Sequence, residues 1–241
     1  MAKIDITKYL KDSFEEKETR MSFPGPVVTL SRETGCPAKR LAQKLTIRLN
    51  SSNIKFSKEM EWRWISKEIM EESAKELGVD LAEIEYVFEY KQHGVLEDLL
   101  LAHSKKFYKT DRKVRNTIAR VIRNFSEEGN AIIVGRGGVA IAHDIPKSLH
   151  VHLEAPLEWR ALRTSEKHNV SIEEARKYCV DIDKKRKQFR DYFEGKGNDY
   201  TRFDLKFNCM TLNLDELADM VIAAMKIRKI SFFILGTIHM K

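Results

Sequence analysis

The stretch VVTLSRETGCPAKRLAQKLTIRL, residues 27–49, decides the fold. Val27 to Leu30 form a short run rich in apolar and β-branched residues, the composition of a strand. Gly35 supplies backbone freedom for a turn, and Pro37 suits the first turn of a helix, where its missing N–H costs little. Leu41, Leu45 and Leu49 recur at every fourth position with Ala42 beside them, so 38–49 reads as a helix with one buried face. Strand, glycine turn and helix in that order can hold an anion. Loop N–H groups converge on one concavity, and the helix N-terminus adds partial positive charge. Neither effect needs a lysine, and the phosphate-loop spacing G-x-x-x-x-G-K-[ST] is absent here.

The strand-then-helix design recurs downstream. AIIVGRGG, from Ala131, is a continuous apolar run stopped by glycine, the pattern of a buried parallel strand. A strand over Leu149 to Leu153 leads through a Pro156 turn into a helix from Leu157. Ser171 followed three residues later by Glu174 is a capping box that opens a long charged helix. FDLKFNCM reads as the last strand and NLDELADMVIAAMKIR as the last helix. Between the first and second strands, residues from about 58 to 128 read as helical, with Ser66 and Asp80 as N-caps and Gly78 as a C-cap. Val114, Ile118, Val121, Ile122 and Phe125 share one face of a helix that stops at Gly129. Strands alternating with helices predict a three-layer α/β fold with a parallel sheet.

Length and charge narrow the partners. The 241 residues suffice for one sizeable domain with a subdomain, and 43 basic against 36 acidic residues leave a net charge of +7. That balance favours an anionic partner such as a nucleotide or polyphosphate; its plain alternative is a solvated basic surface. Basic and acidic residues are interspersed instead of massed, which weighs against nucleic acid. Three scattered cysteines, Cys36, Cys179 and Cys209, suit neither a disulfide framework nor a zinc site. No segment has the length and apolarity of a signal peptide or a membrane span, so the reducing cytoplasm is the expected compartment. The apolar tail ISFFILGTI, residues 230–238, reads as a strand or a homodimer contact.

The motifs taken in order, TLSRETGCPAKRLAQKL, EEGNAIIVGRGG, LHVHLEAPLEWRALR and SIEEARKYCVDIDKKRKQFRDYF, resemble the cytidylate kinase-like family of P-loop nucleoside monophosphate kinases. The resemblance runs from about Val27 to Met225. It implies a P-loop kinase-like core over 23–228, with a helical acceptor-closing insert at 54–128 and a lid region at 157–196. A polar extension at 1–22 and a tail at 229–241 flank that core. It also implies transfer of the γ-phosphate of ATP, or another nucleoside triphosphate, with Mg²⁺ to a nucleotide-like acceptor, CMP being the first guess. Against a cytidylate kinase loop, Pro37 stands where the second glycine would be. Ala38 stands where the lysine would be, and Arg40 where the Mg²⁺-binding hydroxyl would be. Lys39 comes one residue late, about 100° around the helix. The cytidylate kinase-like branch itself carries S-R-E-x-G without the lysine, which Ser31, Arg32, Glu33 and Gly35 follow.

Phosphoryl transfer needs cations around the transferring group, so arginines from elsewhere become the candidates. The phosphate loop comprises Ser31, Arg32, Glu33, Thr34, Gly35, Cys36, Ala38, Lys39 and Arg40, and Arg32 within it either meets phosphate or pairs with a carboxylate. Arg136, at the end of a strand in GRGG, matches by resemblance an arginine that contacts the acceptor. Arg160 and Arg163 occupy the lid-arginine position, with a solvated helix face as the alternative. Asp183 and Arg186 reproduce a D-x-x-R piece found near the acceptor, and Arg190 lies one turn beyond Arg186. No residues have a convincing metal spacing; His150 and His152 share a strand face without a third ligand and read as structural, and Trp62 and Trp64 as packing or interface. A second reading is a nucleotide- or phosphate-binding protein of the same fold without turnover, because the lysine and the Mg²⁺ hydroxyl are both missing.

Overall fold

A computed structural model describes residues 25–51, 61–78, 105–194 and 203–230, with 105–111 as backbone alone. Five strands, β1 (Val27–Arg32), β2 (Arg63–Ile65), β3 (Ala131–Val134), β4 (Ser148–Glu154) and β5 (Leu205–Asn208), pair in parallel in the order β2-β3-β1-β4-β5. Around them run α1 (Ala38–Ser51), α2 (Glu68–Leu77), α3 (Lys105–Glu128) and α4 (Gly138–Ile141). The chain continues with α5 (Leu157–His168), α6 (Ile172–Glu194) and α7 (Leu214–Ile227).

Alternation along the strands splits the core into the two layers that a sandwiched parallel sheet requires. Val28, Leu30, Ile132, Val134, Leu149 and Val151 face α1 and α7, where they meet Leu41, Leu45, Leu49, Leu217 and Val221. Val27, Ala131 and Ile133 face the other way, onto Ile69 of α2 and Val114, Ile118 and Ile122 of α3. Each fully buried Leu or Ile contributes ~1.5–3 kcal/mol, so the leucine spacing of α1 anchors the helix behind the first loop.

Several boundaries differ from the sequence reading. Residues 63–65 form an edge strand inside the stretch read as helical, pairing with Ala131–Ile133. Trp62 accounts for this placement: it is buried in the α1 layer, and its backbone N–H and C=O bond reciprocally to the side chain of Asn50 at 2.7 and 2.9 Å. The helix after it starts one residue later than expected, with Lys67 and not Ser66 at its N-cap, because Ser66 donates its N–H to the Glu68 carboxylate. Gly78 ends that helix at φ 65°, as read; the N-cap expected at Asp80 and the tail 231–241 lie outside the described residues.

β1 continues past Leu30 because Ser31 and Arg32 pair with His152 and Leu153, so these two loop candidates belong to the strand end. The expected capping box at Ser171 and Glu174 is present, and a second, at Asn213 and Glu216, opens α7. No helix among the described residues is long and apolar enough to cross a membrane.

Candidate phosphate site

The strand order fixes where a ligand belongs. β1 is central, with β3 on one side and β4 on the other, so the connections after β1 and β3 diverge and leave a crevice at the C-terminal ends. A cavity of about 530 Å³ opens there, lined by Ser31 and Arg32 from β1 and by Gly135, Arg136 and Gly137 after β3. The stripe Tyr178, Ile182, Lys185, Arg186, Phe189 and Arg190 of α6 closes its far side. Among the described residues, four arginines and one lysine thus line one crevice, and no carboxylate does.

The backbone after β3 is bent to make this possible. Gly135, Arg136 and Gly137 have φ of 73°, 57° and 73°, three successive left-handed residues. Such a conformation costs a non-glycine residue roughly 1–2 kcal/mol, and Arg136 adopts it at the crevice mouth. Gly135 is required for a second reason: a Cβ there would lie 1.7 Å from a terminal nitrogen of Arg32. Arg32 therefore reaches from the end of β1 across to the end of β3. Burial, then the nearby charges of Arg186 and Arg136, push its pKa down to about 9, while Asp183 opposes the shift. Burial likewise lowers the pKa of Arg186.

The loop itself is stapled from the opposite side. Thr34 donates its backbone N–H and its hydroxyl to Asp183 Oδ1, both at 2.7 Å. Buried Arg160 donates Nη1 to Asp183 Oδ2 at 2.8 Å and Nε to the Ala155 carbonyl at 2.8 Å, and its Nε lies 3.0 Å from Glu33 Oε2. Glu33 in turn accepts the Ala155 N–H at 3.1 Å. A Cβ on Gly35 would come within 2.9 Å of the Arg160 carbonyl oxygen, so the loop lies flat against α5. The N–H groups of Glu33, Cys36 and Ala38 all bond to nearby carbonyls, which together with the Thr34–Asp183 contact leaves the loop already tied.

Each sequence candidate now has a place. Ser31, Arg32, Arg136, Arg186 and Arg190 meet in the cavity. Glu33, Thr34, Gly35, Arg160 and Asp183 form the staple beside it, with Arg186 Nη1 donating to Thr34 Oγ1 at 3.1 Å and so joining the two groups. Arg32 does not pair with Glu33, which pairs with Arg160 instead. Ala38 is buried, Lys39 and Arg40 are exposed at the start of α1, and exposed Arg163 lies over the Trp159 ring at 4.7 Å. Arg190 also sits 3.8 Å from Glu194. The Cys36 thiol hydrogen-bonds Cys209, which pushes the Cys36 pKa up and the Cys209 pKa down; all three cysteines are free. His150 shares a hydrogen bond with Thr29 at 2.8 Å and burial pushes its pKa down to about 4, a neutral core residue.

Tyr178, Lys185 and Phe189 were not among the sequence candidates. Their signal was the spacing 178, 182, 185, 189, one face of a helix, which composition alone presents as an ordinary charged surface. Among the described residues no group of three His, Cys, Asp or Glu side chains could hold a metal. Glu33 and Asp183, the carboxylates nearest the loop, are already engaged by Arg160. Among the described residues, therefore, the acidic side chains do not gather into a resident Mg²⁺ site.

Sheet order, central strand and terminal crevice define a three-layer P-loop kinase-like fold. The sequence model of the cytidylate kinase-like family matches residues 27–211, and the chain belongs to that family. The crystal structure of an uncharacterized protein from Eubacterium ventriosum ATCC 27560 is similar, with 21% identity, a TM-score of 0.55, and coverage of 83% of this chain and 97% of that one. A shikimate kinase from Acinetobacter baumannii in complex with shikimate has 14% identity and a TM-score of 0.47, covering 88% of this chain and 98% of that one. A shikimate kinase from Bacteroides thetaiotaomicron has 10% identity and a TM-score of 0.43, covering 83% and 98%. No curated protein matches the chain.

Proposed function

We propose that this protein is a kinase-like phosphotransferase that moves the γ-phosphate of a nucleoside triphosphate to a nucleotide-like acceptor, with CMP the first acceptor to try. The observation that carries the reading is the cluster of Arg32, Arg136, Lys185, Arg186 and Arg190 around one crevice at the ends of β1 and β3. Negative charge spreads over the equatorial oxygens of a transferring phosphoryl group, and fixed cations stabilise it most where water is excluded. Burial depresses the pKa of Arg32 and of Arg186, so both guanidinium groups are partly withdrawn from water, where a charge acts more strongly. Tyr178 and Phe189 supply the apolar wall against which a base or sugar packs. Mg²⁺ enters this proposal only as a companion of the nucleotide, whose phosphates and waters usually provide most of its ligands. The three free cysteines support a reducing cytoplasmic setting.

A second reading, binding without turnover, is favoured by one observation. The Thr34 N–H, which a phosphate nest would aim at its ligand, is bonded to Asp183. Purified protein with ATP, Mg²⁺ and a panel of monophosphates, CMP first, separates the two. Diphosphate formation that disappears in Arg136→Ala is the expected result. Saturable nucleotide binding with no product across the panel would replace the transferase with a binding protein.

A further inference from the structure

The loop after β1 already holds an anion, and it is one of the chain's own. One carboxylate oxygen of Asp183 accepts both the backbone N–H and the hydroxyl of Thr34 at 2.7 Å. The other accepts from Arg160 at 2.8 Å, and Arg186 Nη1 stands 3.5 Å from the first. A strand-to-helix loop amide, a hydroxyl and two guanidinium groups converging on one point is a donor set suited to a phosphoryl group as much as to a carboxylate.

We propose that this point is a phosphoryl subsite, occupied in the ligand-free chain by the Asp183 carboxylate and vacated when a phosphate-bearing ligand arrives. The inference rests on the phosphate-site reading above and adds a specific position to it, on the Thr34 side of Arg186. Three features support exchange over permanent occupation. The Asp183 side chain is 22% exposed, so a ligand can reach it. Arg186 belongs to both places: it lines the cavity, and it donates to Thr34 Oγ1 at 3.1 Å and to the Arg32 carbonyl at 3.3 Å. A ligand in the cavity is therefore in contact with a residue of the staple. Finally, a phosphate ester brings up to two charges and three oxygens where Asp183 brings one charge and two, next to an Arg32 whose neighbours Arg186 and Arg136 repel it.

A competing internal anion lowers apparent affinity by the fraction of molecules in which the subsite is open. The variant Asp183→Asn keeps the shape of the side chain and removes its charge. Sodium pyrophosphate, titrated calorimetrically in EDTA-containing buffer, is expected to bind Asp183→Asn at least about tenfold more tightly than the wild type. In the wild type, the Asp183 carboxylate carbon resonance is expected to move on saturation with pyrophosphate, as its donors are taken. Equal or weaker binding by a folded Asp183→Asn overturns the exchange. Should that variant not fold, an unchanged Asp183 resonance in pyrophosphate-saturated wild type overturns it equally. If neither protein binds pyrophosphate or ATP, the phosphate-site reading itself falls, an outcome distinct from wild-type binding that the variant fails to improve.

Discussion

The two sides of the 33–37 loop are built on opposite electrostatic plans. On the helix side, Arg160 meets both Glu33 and Asp183, so one buried cation is balanced by two carboxylates within 3.0 Å. On the sheet side, Arg32, Arg136, Lys185, Arg186 and Arg190 share a crevice whose lining, among the described residues, includes no carboxylate. A balanced buried pair holds the fold but leaves little field for anything else, whereas clustered like charges cost stability and project a potential into the space between them. Charge that secures the loop is neutralised internally. Charge that faces the crevice is gathered, like beside like.

Breaking the balanced side should have the largest effect. Arg160→Ala leaves Glu33 and Asp183 without their buried counter-charge, and a loss of ~3–5 kcal/mol in urea-unfolding free energy is expected. A loss under about 1 kcal/mol, the scale of an exposed pair, would erase the distinction between the two sides.

On the unbalanced side, Gly135→Ala places a Cβ where the Arg32 guanidinium now lies and puts alanine at φ 73°. Displacing a site cation by an ångström or so is expected to weaken binding or turnover of the phosphate-bearing ligand on the order of 10²-fold, read by calorimetry or product formation. Unchanged affinity would remove Arg32 from the site.

Arg32→Gln sharpens the comparison because stability and binding should move in opposite directions. The folded-state pKa of Arg32 lies below its ordinary value, so above about pH 9 the folded chain binds fewer protons than the unfolded one. Its burial is thus a cost at every lower pH, relieved only as pH rises through that value. The variant is expected to unfold ~1–2 kcal/mol later than wild type, by a nearly constant margin from pH 6 to 8, while losing phosphate affinity. A destabilised variant would mean that Arg32 is a structural residue like Arg160.

The smallest effect is expected at Lys39, the cation nearest to the missing lysine in sequence. It is exposed on α1 and outside the cavity lining. Lys39→Ala should leave unfolding free energy within ~0.5 kcal/mol of wild type, and ligand affinity within about threefold.

Much of the frame was legible in the sequence because it rests on local periodicity and local hydrogen bonds. The leucine spacing of α1, the apolar runs of β1, β3 and β4, the Ser171–Glu174 box and the Gly78 cap each state their structure within a few residues. The short strand β2 did not. Three residues carry too little pattern, and what recruits them is the register with Ala131–Ile133 and the Asn50–Trp62 bridge, both distant in sequence. The sequence also set apart Arg136, Arg186 and Arg190 as cations in suggestive positions, and the fold brings all three to one crevice.

By itself, then, the sequence determined the alternating β/α plan, the loop lacking a lysine and the supply of arginines. Only the tertiary structure decided which charges each arginine lies against. Arg32 and Arg160 look equivalent as letters, yet one lies against Gly135 among other cations and the other between two carboxylates. That difference arises from contacts spanning more than a hundred residues, Thr34 with Asp183 and Arg32 with Gly135. Electrostatic role depends on distance and burial, and no spacing along the chain encodes either.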